Sequence, residues 1–364
     1  MRVRGVGGRW KVGMGGAVVD LNNAGTATRF LAASVLASDG PITVTGNERM
    51  QQRPIGELID VLVRLGVKAE YLGNDGCPPV RLTPPASFET FPVVEIPTTR
   101  SSQFISALLL VGSVLPKGIT VKLVGEITSA SYIRMTIDQM DGLGIVVKSS
   151  EDLRVIRVEP GLSRFVTDIE PDASGACFWW AAGALRDDLR VFVEGIPARS
   201  VQGDAKFPEV LAAMGCTVRR DGDAVAVVGP KRLSAVRADL KDMPDAGPAL
   251  AVVAAYAEGR SVIRGVRTLR VKETDRIAAI RMELSKIGSV VTEDLNGDPD
   301  AMAVDPIADD AGGPVVFETY DDHRMAMSLA LVALRRGGVV IDDPKCVGKT
   351  YPEYWTQLAR VMGV

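Results

Sequence analysis

Histidine occurs once in this 364-residue sequence, and cysteine only four times. Cys77, Cys177, Cys216 and Cys346 are scattered, without the paired spacings of a zinc site or a disulfide framework. No metal is therefore expected, and a reducing cytoplasm is the expected compartment. Long hydrophobic runs are missing too. The most nearly apolar stretch, Phe104 to Leu115, is interrupted by Ser106, Gly112 and Ser113 and falls short of the ~20 residues a spanning helix needs. The opening Met-Arg-Val-Arg-Gly-Val-Gly-Gly has no apolar core of the signal-peptide kind. Nor is there a basic excess. A net charge of -3 and a pI near 5.5 weigh against a nucleic-acid partner. With 46% hydrophobic and 24% charged residues, the chain reads as globular and long enough for two domains, each with its own core.

What the sequence does contain is a repeat. A helix ending in an apolar residue plus Gly, followed by two short strands around a polar turn, recurs at Leu65-Gly66, Leu143-Gly144, Met214-Gly215 and Ile287-Gly288, at intervals of roughly 70–80 residues. In the third copy, PEVLAAMG leads into CTVRR, the turn Asp221-Gly222-Asp223, and AVAVVG. Apolar residues at helical spacing, a Gly stop and β-branched runs about an Asp-Gly turn predict a helix and then a hairpin. Met362-Gly363 repeats the helix-Gly ending once more.

A second element alternates with the first: a polar start, a helix of small residues, then a strand. Its copies begin at Asn23 (NAGTATRF), Thr98 (TTRSSQF), Pro171 (PDASGACF), Pro244 (PDAGPAL) and Tyr320 (YDDHRMAM). Bodies rich in Ala, Leu and Val predict helices buried on most sides. Each unit thus reads βαβαββ, giving an α/β fold of helices enclosed by sheet.

The chemically distinctive residues gather at the starts of the second element. Helix N-termini carry unpaired N–H groups and a partial positive charge, which suits phosphates and carboxylates. Arg29, Arg100 and Arg324 stand at such starts, and Arg49, Arg53, Arg270, Lys272, Arg276 and Lys349 lie in charged segments flanked by apolar sequence. Singly, each would be an ordinary solvated charge. Together they predict a cavity for substrates with several negative charges. Asp245 and Glu273 lie beside these cations, and a carboxylate facing an anion site can shuttle protons. His323, between Asp322 and Arg324, falls in the same cluster.

NAGTATRF, RMQQRPIGELID, SSQFISALLL, PDAG, RVKETDRI, YDDHRMAM and DPKCVGKTYPEY, in this order, resemble the EPSP synthase family across nearly the whole chain. The resemblance implies a two-domain inverse α/β barrel of βαβαββ units, with domains at 1–169 and 170–364 and the site in the cleft between them. It implies transfer of the carboxyvinyl group of phosphoenolpyruvate to the 5-hydroxyl of shikimate 3-phosphate, by a monomer with no cofactor and no membrane or nucleic-acid partner. On the same basis Ser101, Ser102, Gln103, Ser129, Tyr132, Asp245 and Lys272 are shikimate 3-phosphate ligands. Asn23, Gly25, Arg53, Gln103, Arg276, Arg324 and Lys349 bind phosphoenolpyruvate, with Thr26 supporting that loop. Glu273 is the proton-transfer group, with Asp245, His323 and Lys349 as its catalytic partners.

Thr268 stands where the family often has Asn, and Phe30 where many members have Pro. The family's opening Lys-Ser…Arg segment has no match ahead of Asn23, so roughly seventy residues are expected to be missing. That makes a non-catalytic, anion-binding fragment the rival from another class. Within the fold the rival is a UDP-N-acetylglucosamine carboxyvinyltransferase, but its usual Cys is absent from the stretch before Arg53-Pro54, and Cys77 lies in a hairpin turn downstream. RNA 3′-phosphate cyclase shares the repeat unit, and the acidic pI argues against it.

Overall fold

In the computed structural model, which describes residues 4–87, 92–97, 101–125, 127, 129–161, 165–309 and 312–363, the four repeat glycines all adopt positive φ. Gly66, Gly144, Gly215 and Gly288 lie at +91°, +79°, +96° and +83°. That left-handed conformation ends a helix cleanly and costs least without a Cβ. Gly363, at +77°, ends the last helix in the same way.

The chain divides into two units, Met1–Thr167 and Asp168–Val364. The first runs β1 (Ala17–Asp20), α1 (Gly25–Ala33), β2 (Ile42–Thr45), α2 (Gly56–Arg64), β3 (Lys68–Tyr71) and β4 (Val80–Thr83). It then repeats as β5 (Val93–Pro97), α3 (Ser102–Gly112), β6 (Ile119–Val124), α4 (Ala130–Gly142), β7 (Val147–Ser149) and β8 (Val155–Val158). The two sheets have equivalent orders, β1-β2-β4-β3 and β5-β6-β8-β7. In each, the first pair is parallel across a helix and the last two strands form an antiparallel hairpin. This is the βαβαββ unit twice over. Helix α3, read in sequence as the longest apolar run, buries nine of its residues and packs on α1 and α4.

The second unit begins with α5 (Ala173–Ala184), β9 (Val191–Val193), α6 (Phe207–Ala213), β10 (Thr217–Asp221) and β11 (Ala224–Val228). A short β12 (Leu233–Ser234) precedes β13 (Arg237–Asp239), α7 (Gly247–Ala255), β14 (Ala257–Glu258), β15 (Ser261–Arg264), α8 (Arg276–Ser285), β16 (Val291–Thr292) and β17 (Ala301–Val304). It closes with β18 (Val315–Phe317), α9 (His323–Ala330), β19 (Val339–Ile341) and α10 (Tyr354–Met362). The sheet β13-β15-β17-β16 repeats the order seen twice in the first unit. The neighbouring copies are partial among the described residues. The sheet β10-β11-β9 holds three strands and β18-β19 two, where the family pattern implies complete units.

Of the helices expected to be enclosed, α3, α5, α7 and α9 are, whereas α1 buries five of its nine residues. All nine residues of α7 and eleven of the twelve in α5 are buried. A helix apolar on every side has to lie inside its domain. Among the described residues, no helix is long and apolar enough to cross a membrane.

Candidate active site

Charged residues of the second unit converge on Arg276, the first residue of α8, whose side chain is only 1% exposed. Its Nε and Nη2 donate to the two oxygens of Asp322 at 2.7 and 3.1 Å. Nη1 donates to Asp245 Oδ1 at 3.0 Å, and Nη2 also donates to Glu273 Oε2 at 2.9 Å. Four of the five guanidinium N–H groups are thus directed at carboxylates. Lys272 Nζ lies 3.0 Å from Asp245 Oδ1 and Arg324 Nη2 3.5 Å from Asp245 Oδ2. Lys349 Nζ donates to Glu273 Oε1 at 3.1 Å, so each oxygen of Glu273 has a cation beside it.

Local chain structure explains the convergence. Asp245 lies in the 3-10 turn Pro244–Ala246 that enters α7, and Lys272 and Glu273 follow the turn Arg267–Val271. Asp275 caps α8 by accepting the N–H groups of Ile277 and Ala278, and Asp322 caps α9 by accepting that of Arg324. Lys349 ends the turn Pro344–Lys349. Just beyond it, Tyr351 accepts a bond from Trp179 Nε1 at 3.0 Å, and Tyr354 packs on Phe178 and Trp179. The starts of α7, α8 and α9 are thereby brought together, with four cations facing three carboxylates.

The electrostatics sort these groups. Burial alone would raise the Asp245 carboxyl, but Lys272, Arg324 and Arg276 hold it well below the usual carboxylate range. It is an ionised hydrogen-bond acceptor. His323 is 4% exposed; burial, Arg324 and Arg276 together outweigh Asp322 and lower the imidazole to about 4. Its Nδ1 is buried with no hydrogen-bond partner, 3.9 Å from Asp322 Oδ1. At neutral pH His323 is an uncharged neighbour of the carboxylates.

In the first unit a second group surrounds Gly25. Arg29 and Arg53 are each 4% exposed. A Cβ built on Gly25 would lie 2.5 Å from Arg53 Nη2 and closer still to Arg29 Nη1, so both guanidinium groups crowd the start of α1. Arg53 Nη1 donates to the backbone and side-chain oxygens of Asn23 at 3.2 and 3.1 Å, and Arg29 Nη2 to Pro54 O at 3.3 Å. Gln103 Nε2 donates to Thr26 Oγ1 at 2.9 Å, tying the start of α3 to that of α1. Ser101 caps α3, Ser102 is buried behind it, and Ser129, just before α4, has a φ of +54°. Tyr132 lies in the first turn of α4, and Thr136 Oγ1 joins that helix to Ser106 Oγ of α3 at 2.7 Å. Two like charges beside an N-terminus with no side-chain cap favour an anion there.

Not every expected residue joins these groups. Arg270, counted among the cavity cations, instead pairs with Asp275, Glu293 and Asp294 at 3.3, 2.9 and 2.8 Å. Arg49 is within 3.5 Å of Gln52 Oε1. Arg100, with Thr98 and Thr99, lies outside the described residues. Arg276 does join them, with two of its N–H groups on Asp322 and two on Asp245 and Glu273. Thr268, the departure from the family's Asn, holds a buried hydroxyl with no hydrogen-bond partner. Asp322 and Asp204 carry no local sequence signal of a place in the site. Asp204 is 2% exposed in the turn Gly203–Lys206, and burial and the charge of Asp245 push its carboxyl up to about 6.

The EPSP synthase (3-phosphoshikimate 1-carboxyvinyltransferase) family model matches residues 1–358. The chain belongs to this family. A relative from Shewanella baltica (strain OS185), named 3-phosphoshikimate 1-carboxyvinyltransferase, is 38% identical over 94% of this chain and 79% of its own length. A relative of the same name from Colwellia psychrerythraea is 39% identical over 94% of this chain and 78% of its own length. Among solved structures, the EPSP synthase of Acinetobacter baumannii aligns with a TM-score of 0.71 at 24% identity, over 94% of this chain and 78% of that one. The enolpyruvyl transferase NikO of Streptomyces tendae aligns at 0.65 and 21%, over 91% and 74%. These likenesses support the EPSP synthase fold, an inverse α/β barrel of βαβαββ units.

Asp204 and His323 give this EPSP synthase family member a testable pH signature. As pH falls from about 6.5 to 4, the unfolded chain takes up a histidine proton that folded His323 refuses, so stability falls. From about 6 to 4 the folded state takes up a proton at Asp204 that an unfolded aspartate does not yet accept, so stability rises. Each effect is on the order of 3 kcal/mol, and they oppose one another. Urea midpoints between pH 7 and 4 are expected to fall more steeply for Asp204→Asn than for the parent, and to rise for His323→Gln relative to it. Parallel curves for all three proteins would contradict both assignments.

Proposed function

We propose that the chain transfers the carboxyvinyl group of phosphoenolpyruvate to the 5-hydroxyl of shikimate 3-phosphate, releasing phosphate, as a monomeric cytoplasmic enzyme without metal or organic cofactor. Beyond family membership, the observation that carries this reading is Glu273 held between Arg276 and Lys349 at the converging helix starts. A carboxyl group so placed can take up a proton when anionic substrates engage those cations, give it to the methylene carbon of phosphoenolpyruvate and later take one back.

In this reading the first domain, 1–169, supplies Ser101, Ser102, Gln103, Ser129 and Tyr132 to shikimate 3-phosphate, and Asn23, Gly25, Arg53 and Gln103 to phosphoenolpyruvate. The second, 170–364, supplies Asp245 and Lys272 to the former, and Arg276, Arg324 and Lys349 to the latter. Arg276 would act through its remaining N–H, its other donors fixing the carboxylates. Protonation of the methylene carbon makes C2 electrophilic. The 5-hydroxyl, oriented by ionised Asp245, forms its C–O bond to C2 and gives its proton to Asp245, from which phosphate takes it on leaving. Glu273 then removes a proton from the new methyl group as the C2–O bond to phosphate breaks. Lys349, Arg324 and Arg53 stabilise the charged intermediate, beside neutral His323.

The test is turnover with shikimate 3-phosphate and phosphoenolpyruvate, following phosphate release and the enolpyruvyl ether by mass spectrometry, with UDP-N-acetylglucosamine as the competing acceptor. Product from the sugar nucleotide alone would reassign the acceptor. Saturable binding of both anions without product would leave an anion-binding protein. Gly25→Ala adds one methyl group between Arg29 and Arg53, and is expected to raise the phosphoenolpyruvate KM at least about 10-fold while the shikimate 3-phosphate KM changes little. An unchanged phosphoenolpyruvate KM would place that substrate elsewhere.

A further inference from the structure

Two successive residues with side chains, Tyr320 and Asp321, adopt left-handed backbone conformations, with φ of +56° and +52°. They lie immediately before Asp322, His323 and Arg324. Such conformations are unfavourable for residues with a Cβ and persist where the surroundings over-determine them. Glu283 of α8 supplies that constraint. It is fully buried, and its Oε1 accepts the Tyr320 hydroxyl at 2.7 Å. Oε2 accepts the backbone N–H of Glu318 at 2.9 Å and Lys286 Nζ at 2.7 Å. One carboxylate therefore holds the chain both at and before the left-handed turn. Thr319 N–H is held by Asp342 Oδ1 at 2.9 Å, and Asp322 N–H by Thr319 O at 2.9 Å. Arg276, two turns earlier on the same face of α8, holds Asp322 on the far side of the turn.

We propose that Glu283 is a positioning residue, whose buried bonds to Tyr320 and Glu318 hold the Tyr320–Asp321 turn so that Asp322, His323 and Arg324 meet Arg276 and Asp245. Its effect on turnover rests on the reading above; its effect on the turn does not. The neutral Glu283→Gln keeps the shape but loses the charge, and one arm becomes an N–H donor: facing Glu318 and Lys286 it accepts neither bond, and facing Tyr320 it leaves that hydroxyl proton without its acceptor.

His323 is the only histidine, so a histidine-selective NMR titration reads the position of the turn without an assay. The parent imidazole, shielded by burial and facing Arg324, Arg276, Asp322 and Glu273, titrates at about 4. In folded Glu283→Gln it is expected to titrate at least half a pH unit higher, and the phosphoenolpyruvate KM to rise about 10-fold or more. Adding Asp321→Gly, which removes the Cβ penalty at φ of +52°, is expected to bring both back toward parent values. Loss of general core stability alone would be relieved in neither. Should Glu283→Gln not fold, Tyr320→Phe removes one of the same bonds and is expected to move the titration in the same direction. An unmoved His323 titration in a folded variant, or a moved one that Asp321→Gly leaves uncorrected, overturns the proposal. If the titration behaves as expected but no variant, parent included, turns over, the reading of function fails and the positioning role stands.

Discussion

Glu273→Gln is expected to lose about 10²-fold or more of its turnover while keeping its affinity for phosphoenolpyruvate. The amide preserves the shape of the side chain and can still accept a bond from Lys349 or Arg276. What it cannot do is deliver a proton to carbon and take one back. Binding depends on the cations, and removing one of the carboxylates facing them leaves the cluster more attractive to an anion. The dissociation constant should therefore hold or fall, and the split between kcat and affinity is the signature. Rapid-quench turnover beside a calorimetric titration measures both. Near-normal turnover would take Glu273 out of the proton-transfer role. Equal losses in kcat and affinity would make it a binding residue instead.

Arg276→Ala should damage the fold as well as the chemistry. Its removal leaves Asp322, Asp245 and Glu273 as carboxylates within or beside a buried space, the first of them fully buried. Breaking a buried ion pair from one side typically costs about 3–5 kcal/mol, because the remaining charge has no partner. For a unit of this size that is a loss of roughly 10 °C in Tm. Arg276→Lys keeps the charge but replaces a planar fork with a single ammonium. It cannot span both oxygens of Asp322 and still reach Asp245 and Glu273. Recovery by Lys should therefore be small, whereas recovery to the parent Tm would show that charge alone matters. Unfolding followed by Trp179 and Trp180, both in α5 of this unit, distinguishes the outcomes.

Much of this architecture was legible in the sequence because local chemistry dictates it. A glycine ending an apolar helix has one economical conformation, and Gly66, Gly144, Gly215 and Gly288 all adopt it. Helices made almost wholly of small and apolar residues have no face to turn to water, so α5 and α7 could be read as enclosed. The misses depend on contacts between residues distant in the chain. Asp322 reads as a helix cap and is one, but its two-pronged hold on Arg276 crosses 46 positions. Glu283, in RMELSK, carries no local signal of burial; only the fold shows it fully buried beneath Tyr320. Arg270 illustrates the converse. Its neighbours in LRVKETDR suggest an anion cavity, whereas Glu293 and Asp294, brought back by the chain after α8, occupy it.

Helix α7 has every residue buried, and this has a consequence for how the second unit opens. Its amides have no route to solvent through fraying of an exposed face, because there is none. Deuterium can enter only when the surrounding sheets and helices come apart. Exchange at Leu250 to Ala254 should thus follow the unit's global unfolding free energy, and a denaturant series should lower it with the full unfolding slope. The segment that enters the cluster at Asp245 is then among the last to let go.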